Sequence, residues 1–302
     1  MPPEAPSNDD DVADANRLSI RRRSNTLNAD SLTRASRPRS PPYAAAIMVD
    51  GLRFELERAI TENELVLHYQ PRVLVTTLEL RGVEALVRWR HPVRGIVPAS
   101  EFVAAAERSG LMRDLEAWVI REALLQAAVW RGDGLRVGVS VNITPSLLGD
   151  EPFLRLFGRT LTIQGSPAAF TFEVAAPALV GADRPVDGLT RLRERGVRLA
   201  LDDVTSLTEL EGARWMQWDY VKLGRALVGG AARDATLGAT LRALVAMATE
   251  HNARTIGMGV EDDDTIALLR DAGVYLAQGY LFAPPLAVKE LSAWSVGRER
   301  SA

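Results

Sequence analysis

From about Leu52 the chain alternates two kinds of apolar pattern. Short continuous or alternating runs read as strands: LVLHYQP (65–71), LRGVEALVRW (80–89), VGVSVNI (137–143), AFTFEV (169–174), VRLALDD (197–203), YVKL (220–223), RTIGM (254–258) and LAQGYL (276–281). Longer stretches repeat apolar residues every three or four positions and read as helices: FVAAAERSG (102–110), LEAWVIREALLQAAVWRG (115–132), VDGLTRLRERG (186–196), TLGATLRALVAMATEH (236–251) and DTIALLRDAG (264–273). The first two helical stretches end in Gly, a residue suited to a helix C-cap. Eight strands with helices between them predict an α/β fold, a (β/α)8 TIM-like barrel.

The first 46 residues follow neither period. They are rich in Pro, Ser, Asn, Asp and Arg and poor in large apolar residues, so they are expected to be a disordered tail. Its acidic run Asp9–Asp11, its basic run Arg21–Arg23 and the neighbouring Ser24 are expected to be a solvated leader, with a partner tail as the alternative. Residues 47–295 are expected to form one folded domain, and 296–302 a short C-terminal tail.

Composition narrows the classes. The 302 residues are 47% hydrophobic and 25% charged, ordinary for a globular protein with a substantial core. A net charge of −3 gives no general attraction to DNA, RNA or anionic lipid. The absence of Cys excludes disulfides, thiolate metal sites and a Cys nucleophile, and fits a cytoplasmic location. No run reaches the ~18 apolar residues of a membrane helix, and no signal peptide is recognised.

Barrel chemistry gathers at the C-terminal ends of strands. There the sequence offers Asn142, Glu173, Asp202, Asp203, Lys222 and Gln278, while Glu84 interrupts an apolar strand. Singly, an Asn or Asp at a strand end is more often a turn residue than a ligand. A carboxylate inside an apolar run is costly unless it has a partner, so Glu84 is harder to explain away. Hard oxygen donors from four strands around one mouth suit Mg²⁺ or Mn²⁺.

These residues also carry a resemblance. VEALVRWRHPVRGIVPASEFVAAAERSGLM, with ELVLHYQP before it and LAQGYLFAPPL near the end, resembles the EAL-domain family, phosphodiesterases that open cyclic di-GMP to pGpG. The resemblance spans about Leu52 to Leu286. It implies a barrel with one antiparallel strand. It implies a first metal on Glu84, Asn142, Glu173 and Asp202, a second served by Asp203, and Lys222 acting on the attacking water. Gln70, Leu86, Arg88, Glu261 and Gln278 fall where the family contacts its substrate.

The pattern is incomplete. The family's A-E-G-V-E segment reads Gly257-Met258-Gly259-Val260-Glu261, so a soft thioether replaces the inner glutamate beside the second metal. The second glutamate of E-x-T-E is Ala176. The loop that follows Asp203 has neither of its glycines, the Asp after the K-I pair is Gly224, and a basic residue is Pro284. The resemblance therefore implies a degenerate member that binds cyclic di-GMP or a protein partner, with hydrolysis lost or strongly reduced. A working phosphodiesterase and a pure protein-interaction module remain the alternatives. A homodimer is one of the assemblies it allows. No sensor or cyclase segment is recognised beside the domain, so regulatory input is expected through the tail or a partner.

Overall fold

Nine strands form one sheet that closes on itself. A computed structural model describes residues 42–164, 167–179 and 186–299. The strands are β1 (Leu65–Leu74), β2 (Leu80–His91), β3 (Gly95–Pro98), β4 (Gly138–Asn142), β5 (Phe170–Ala175), β6 (Arg198–Val204), β7 (Tyr220–Leu223), β8 (Arg254–Met258) and β9 (Leu276–Gln278). Their order is β1-β9-β8-β7-β6-β5-β4-β2-β3, and an additional β1–β2 pairing closes an eight-stranded barrel with β3 appended to β2. β1 is antiparallel to both its neighbours, while β2 and β4 to β9 run parallel to one another. The expected barrel with one antiparallel strand is therefore the fold. The antiparallel strand enters through the hairpin that joins β1 to β2.

Around it lie α1 (Pro42–Thr61), α2 (Ala99–Ser109), α3 (Met112–Gly132), α4 (Pro145–Leu148), α5 (Glu151–Gln164), α6 (Val186–Glu194), α7 (Leu207–Gly212), α8 (Arg225–Ala231), α9 (Ala235–Glu250), α10 (Asp263–Asp271) and α11 (Val288–Glu299). Apolar faces pack them on the barrel. Phe102, Leu115, Ile120, Leu189, Leu192, Leu241, Leu244 and Leu269 are buried. Among the described residues, no helix is long and apolar enough to cross a membrane.

Several local expectations change. The tail boundary at residue 46 falls inside α1, which starts at Pro42. Pro suits a first helical turn and the Ala run behind it favours helix. The boundary at 295 likewise falls inside α11, and the remainder of both tails lies outside the described residues. Gly110 caps α2 with φ 74°, whereas Gly132 is still within α3. The last strand stops at Gln278 rather than running to Leu281. There the backbone passes so close to Val260 that a Cβ on Gly279 would stand 2.0 Å from the Val260 carbonyl oxygen.

Candidate active site

The alternation of a strand decides which side chains enter the barrel. On β1, Gln70 and Arg72 share a face. On β2, Glu84 leads to Leu86 and Arg88 on one face, and Glu84 pairs in register with Ser140 of β4. Glu84 is not at a strand end. The β2–β4 pairing stops there, and β2 runs on above the barrel to pair with β3. Asn142 pairs with Glu173, and Met258 with Gln278. Gly257 turns outward, because a Cβ there would meet Leu269 of α10 at 2.5 Å, so Met258 faces inward.

Lys222 organises the centre. Its ammonium lies 2.8 Å from Asp202 Oδ2 and 3.5 Å from Glu84 Oε2, and it also donates to Glu173 Oε2. Below it sits Arg72, 4% exposed, a residue that the sequence reading passed over. Its guanidinium donates to Glu84 Oε2 at 2.8 Å, Gln278 Oε1 at 2.5 Å and Ser140 Oγ at 2.7 Å. Gln278 Nε2 donates to Glu84 Oε2 and to Gln70 Oε1, each at 2.9 Å, and Asn142 Nδ2 donates to Glu84 Oε1 at 3.1 Å. The signal for Arg72 was its parity: two residues beyond Gln70, it had to enter the same interior.

Three carboxylates, Glu84, Glu173 and Asp202, face two cations, Arg72 and Lys222, so one negative charge is left over if all are ionised. Burial acts to raise the Glu84 carboxyl. Lys222, Arg72 and the amides of Gln278 and Asn142 outweigh it and hold Glu84 well below the usual carboxylate range. The strain falls on Glu173, which burial and the neighbouring Glu84 push up despite Arg72 and Lys222. Burial opposes the charge on Lys222, but the three carboxylates raise its pKa above the ordinary lysine value.

The oxygens suit a hard divalent cation in kind and number. Among the described residues no three such side chains stand arranged as a metal cage; the carboxylates converge on Lys222 instead. Glu173 Oε1 is buried and ion-paired with Arg72 Nη2 at 2.6 Å. Glu84, Asn142, Glu173 and Asp202 supply the hard oxygen donors that a cation on the β2–β6 side would use, in competition with Arg72 and Lys222.

The β6–β8 side is built differently. Asp203 is exposed, has φ 57° at a bulge in β6, and stays outside the bonded cluster. Its Oδ1 and the Thr205 methyl would each stand 2.7 Å from a Cβ on Gly224, so the loop occupies the space that a side chain there would take. Ala176 cannot anchor this loop, and Glu209 holds it instead. Glu209 Oε2 accepts from the Thr205 and Ser206 backbone N–H groups at 2.7 and 3.0 Å, within a capping box that starts α7. The signal that would have found this box is the Ser206-Leu-Thr-Glu209 spacing, which the sequence reading did not use.

Leu86 and Arg88 stand on β2 above the cluster, half-buried. Burial lowers the Arg88 pKa, against the nearby Tyr280 and Glu84. Glu261 is on the surface, paired with Arg225 at 3.2 Å, and Arg225 lies 5.5 Å from the centre of the exposed Tyr280 ring. The structure thus joins Gln70, Glu84, Asn142, Glu173, Asp202, Lys222 and Gln278 in one network. The side chains of Asp203, Met258 and Glu261 lie outside it.

Comparison with known proteins agrees with this architecture. The EAL domain family matches residues 53–285. The chain is 32% identical over 250 residues to a cyclic di-GMP phosphodiesterase of Pseudomonas aeruginosa, covering 79% of this chain and 41% of that protein. It is 31% identical over 242 residues to the cyclic di-GMP phosphodiesterase PdeR of Escherichia coli, covering 79% of this chain and 36% of that protein. The chain thus spans well under half the length of these relatives. The structure of PaMucR phosphodiesterase in complex with c-di-GMP superposes with a TM-score of 0.72 at 28% identity, covering 80% of this chain and 99% of that one.

Proposed function

The chain belongs to the EAL-domain family, and from that premise we propose that it binds cyclic di-GMP at the C-terminal mouth of the barrel with hydrolysis lost or strongly reduced. The observation that carries this reading is the inward-facing Met258, in register with Gln278 on the mouth face. A thioether is a poor ligand for Mg²⁺ or Mn²⁺ and cannot accept a proton. Glu84, Asn142, Glu173 and Asp202 would hold one divalent cation, which supplies Lewis-acid polarisation when bound. At the second position Asp203 has no carboxylate at 258 or 224 to join it.

Binding contacts survive better than hydrolytic ones. Gln70 and Gln278 are locked amide to amide at 2.9 Å, which fixes both for a polar ligand edge. Arg88 offers a planar fork suited to a phosphodiester. Glu261 and Tyr280 stand at the rim. Lys222 is held by three carboxylates, so it positions the cluster. We read the domain as acting in cyclic di-GMP signalling by binding, with a protein partner taking the output.

A working phosphodiesterase is the second reading, favoured by the two relatives described above, both cyclic di-GMP phosphodiesterases. Calorimetric titration of cyclic di-GMP with and without Mn²⁺, followed by analysis for pGpG, separates the two. We expect saturable binding with little or no pGpG, since loss of one electrostatic stabiliser typically costs ~10²–10³ in rate. Arg88→Ala should weaken binding ~10-fold or more, the worth of a charge-assisted contact, while Met258→Ala should not. Turnover at ordinary phosphodiesterase rates would overturn the proposal.

A further inference from the structure

The opposite end of the barrel holds a cavity of about 700 Å³, within the ~300–1,000 Å³ of small-ligand sites. It lies at the N-terminal ends of the strands, where Gly82, Gly138, Thr171, Arg198, Tyr220, Arg254 and Leu276 stand at or near the start of β2 and β4 to β9. Its lining contains six arginines, Arg72, Arg81, Arg131, Arg136, Arg198 and Arg254, and no Asp or Glu. The chain as a whole carries a net charge of −3, so this is a local concentration of positive charge and not a general property.

The arginines are also pre-positioned. Arg198 donates to the Tyr220 hydroxyl at 3.2 Å and Arg254 to the Tyr275 hydroxyl at 3.2 Å, and the Arg254 guanidinium lies 4.5 Å from the centre of the Tyr275 ring. Among the described residues, neither Arg198 nor Arg254 forms an ion pair with a carboxylate. Arg81 is bonded to Glu79, outside the cavity, at 3.0 Å. The inner end is closed by Arg72 and Ser140, the pair whose 2.7 Å hydrogen bond holds the guanidinium beneath Glu84. A surface that merely needed solubility would intersperse both signs. Here Arg136, Arg198 and Arg254 converge on one concavity with no carboxylate in its lining, while Arg72 and Arg81 are ion-paired with residues outside it, and a bound anion would relieve the excess of positive charge.

We propose that this basal cavity is a second ligand site, taking a small polyphosphate-bearing anion of nucleotide size, separate from the cyclic di-GMP site at the mouth. Arg198 and Arg254 supply planar forks for phosphate oxygens, and Arg136 adds charge at the rim. The Tyr220 ring, and the face of Tyr275 that Arg254 leaves uncovered, give an apolar surface for a base. The inference does not depend on what the mouth binds.

The test is calorimetric titration of the full chain with inorganic triphosphate and with ATP, at low salt and without divalent metal. We expect saturable binding of both, tighter for ATP and weaker as salt rises. The double substitution Arg198→Gln, Arg254→Gln should weaken it by about 10- to 100-fold, the worth of one or two charge-assisted contacts. Arg136→Gln, at an exposed position that folding does not need, should weaken it several-fold. Arg88→Ala, at the other end of the barrel, should leave it within about twofold. No saturable binding, or affinities unchanged in both the double and the Arg136 variants, would overturn the site. Loss in Arg88→Ala would move the anion to the mouth and overturn it equally. ATP binding no tighter than triphosphate would overturn the nucleotide assignment.

Discussion

The two sides of the mouth differ in how deeply the fold depends on them. On β2, β4 and β5, Glu84 and Glu173 are 5% and 1% exposed, and Glu84 accepts from four different side chains. On β6 to β8, beyond Asp202 and Lys222 of the same network, Asp203 is exposed and Met258 is only half-buried. A buried charge must be neutralised by partners that are also buried, so each member of the first side is tied to all the others. An exposed carboxylate is solvated by water and can lose its neighbours at small cost. Of the departures from the pattern that the resemblance implies, Met258, Gly224 and the Thr205–Ser206 loop lie on the second side, and Pro284 lies beyond β9. Ala176 is also an exception. It is buried, and Glu209 has taken over its loop.

This contrast is broken most directly at Arg72. Removing one partner of a buried ion network typically costs about 3–5 kcal/mol, because the remaining charges are stranded. Arg72→Ala is therefore expected to lower urea-denaturation stability by about that amount, while Asp203→Ala, at a positive φ that Asp tolerates better than Ala, should lower it by no more than about 1 kcal/mol. Equal effects would mean that the two sides are not distinct.

Much of this was legible in the sequence, and what escaped has physical reasons. The eight barrel strands announced themselves because parallel strands buried on both faces read as apolar runs. Glu84, Glu173 and Lys222 stood out as charges inside such runs. Arg72 escaped because LVLHYQPRVLV reads as a strand that ends at Pro71, although it continues to Leu74. β3 escaped because four residues make too short a run. The basal cavity escaped because Arg81, Arg198 and Arg254 each look like an ordinary charge flanking a strand. Only closure of the barrel brings them together.

A second measurement sharpens the buried side. Glu116 of α3 accepts from the Thr144 backbone N–H at 2.9 Å and from its hydroxyl at 3.3 Å, fastening the loop after Asn142. Burial pushes its carboxyl up to about 7, with Glu107 adding to the effect and the Thr144 bonds opposing it. The ordinary value is 4.5, so the folded chain holds a proton that the unfolded chain has released between these two values. This contribution is fully present below about pH 4.5 and is lost as pH rises to 7, amounting to roughly 3 kcal/mol. Glu116→Gln should remove that slope, so the difference in stability between variant and parent should change across pH 4.5–7. A constant difference would show that Glu116 titrates alike in the folded and unfolded chain and that the loop needs no buried proton.

The exposed side is sharpened by restoring what it lacks. Met258 faces inward beside Gln278, so Met258→Glu places a carboxylate on the mouth face of β8. Because the residue is half-buried and outside the Lys222 network, the change should alter stability by less than about 1 kcal/mol. A hard oxygen in place of sulfur should raise affinity for a second Mn²⁺ about tenfold or more, a gain of ~1.4 kcal/mol. Titration followed by the paramagnetic resonance of free Mn²⁺ counts the ions. We expect at most one tight ion per parent chain and two in the variant. Hydrolysis should recover less than metal binding does, because Gly224 still supplies no carboxylate and the Thr205 methyl still fills the space beside it. Changing Gly224 to Asp alone should fail, since its Cβ would meet Asp203 Oδ1 and the Thr205 methyl at 2.7 Å. If Met258→Glu leaves the ion count unchanged, the thioether is not what limits the second position, and the loop held by Glu209 becomes the element that has to be rebuilt.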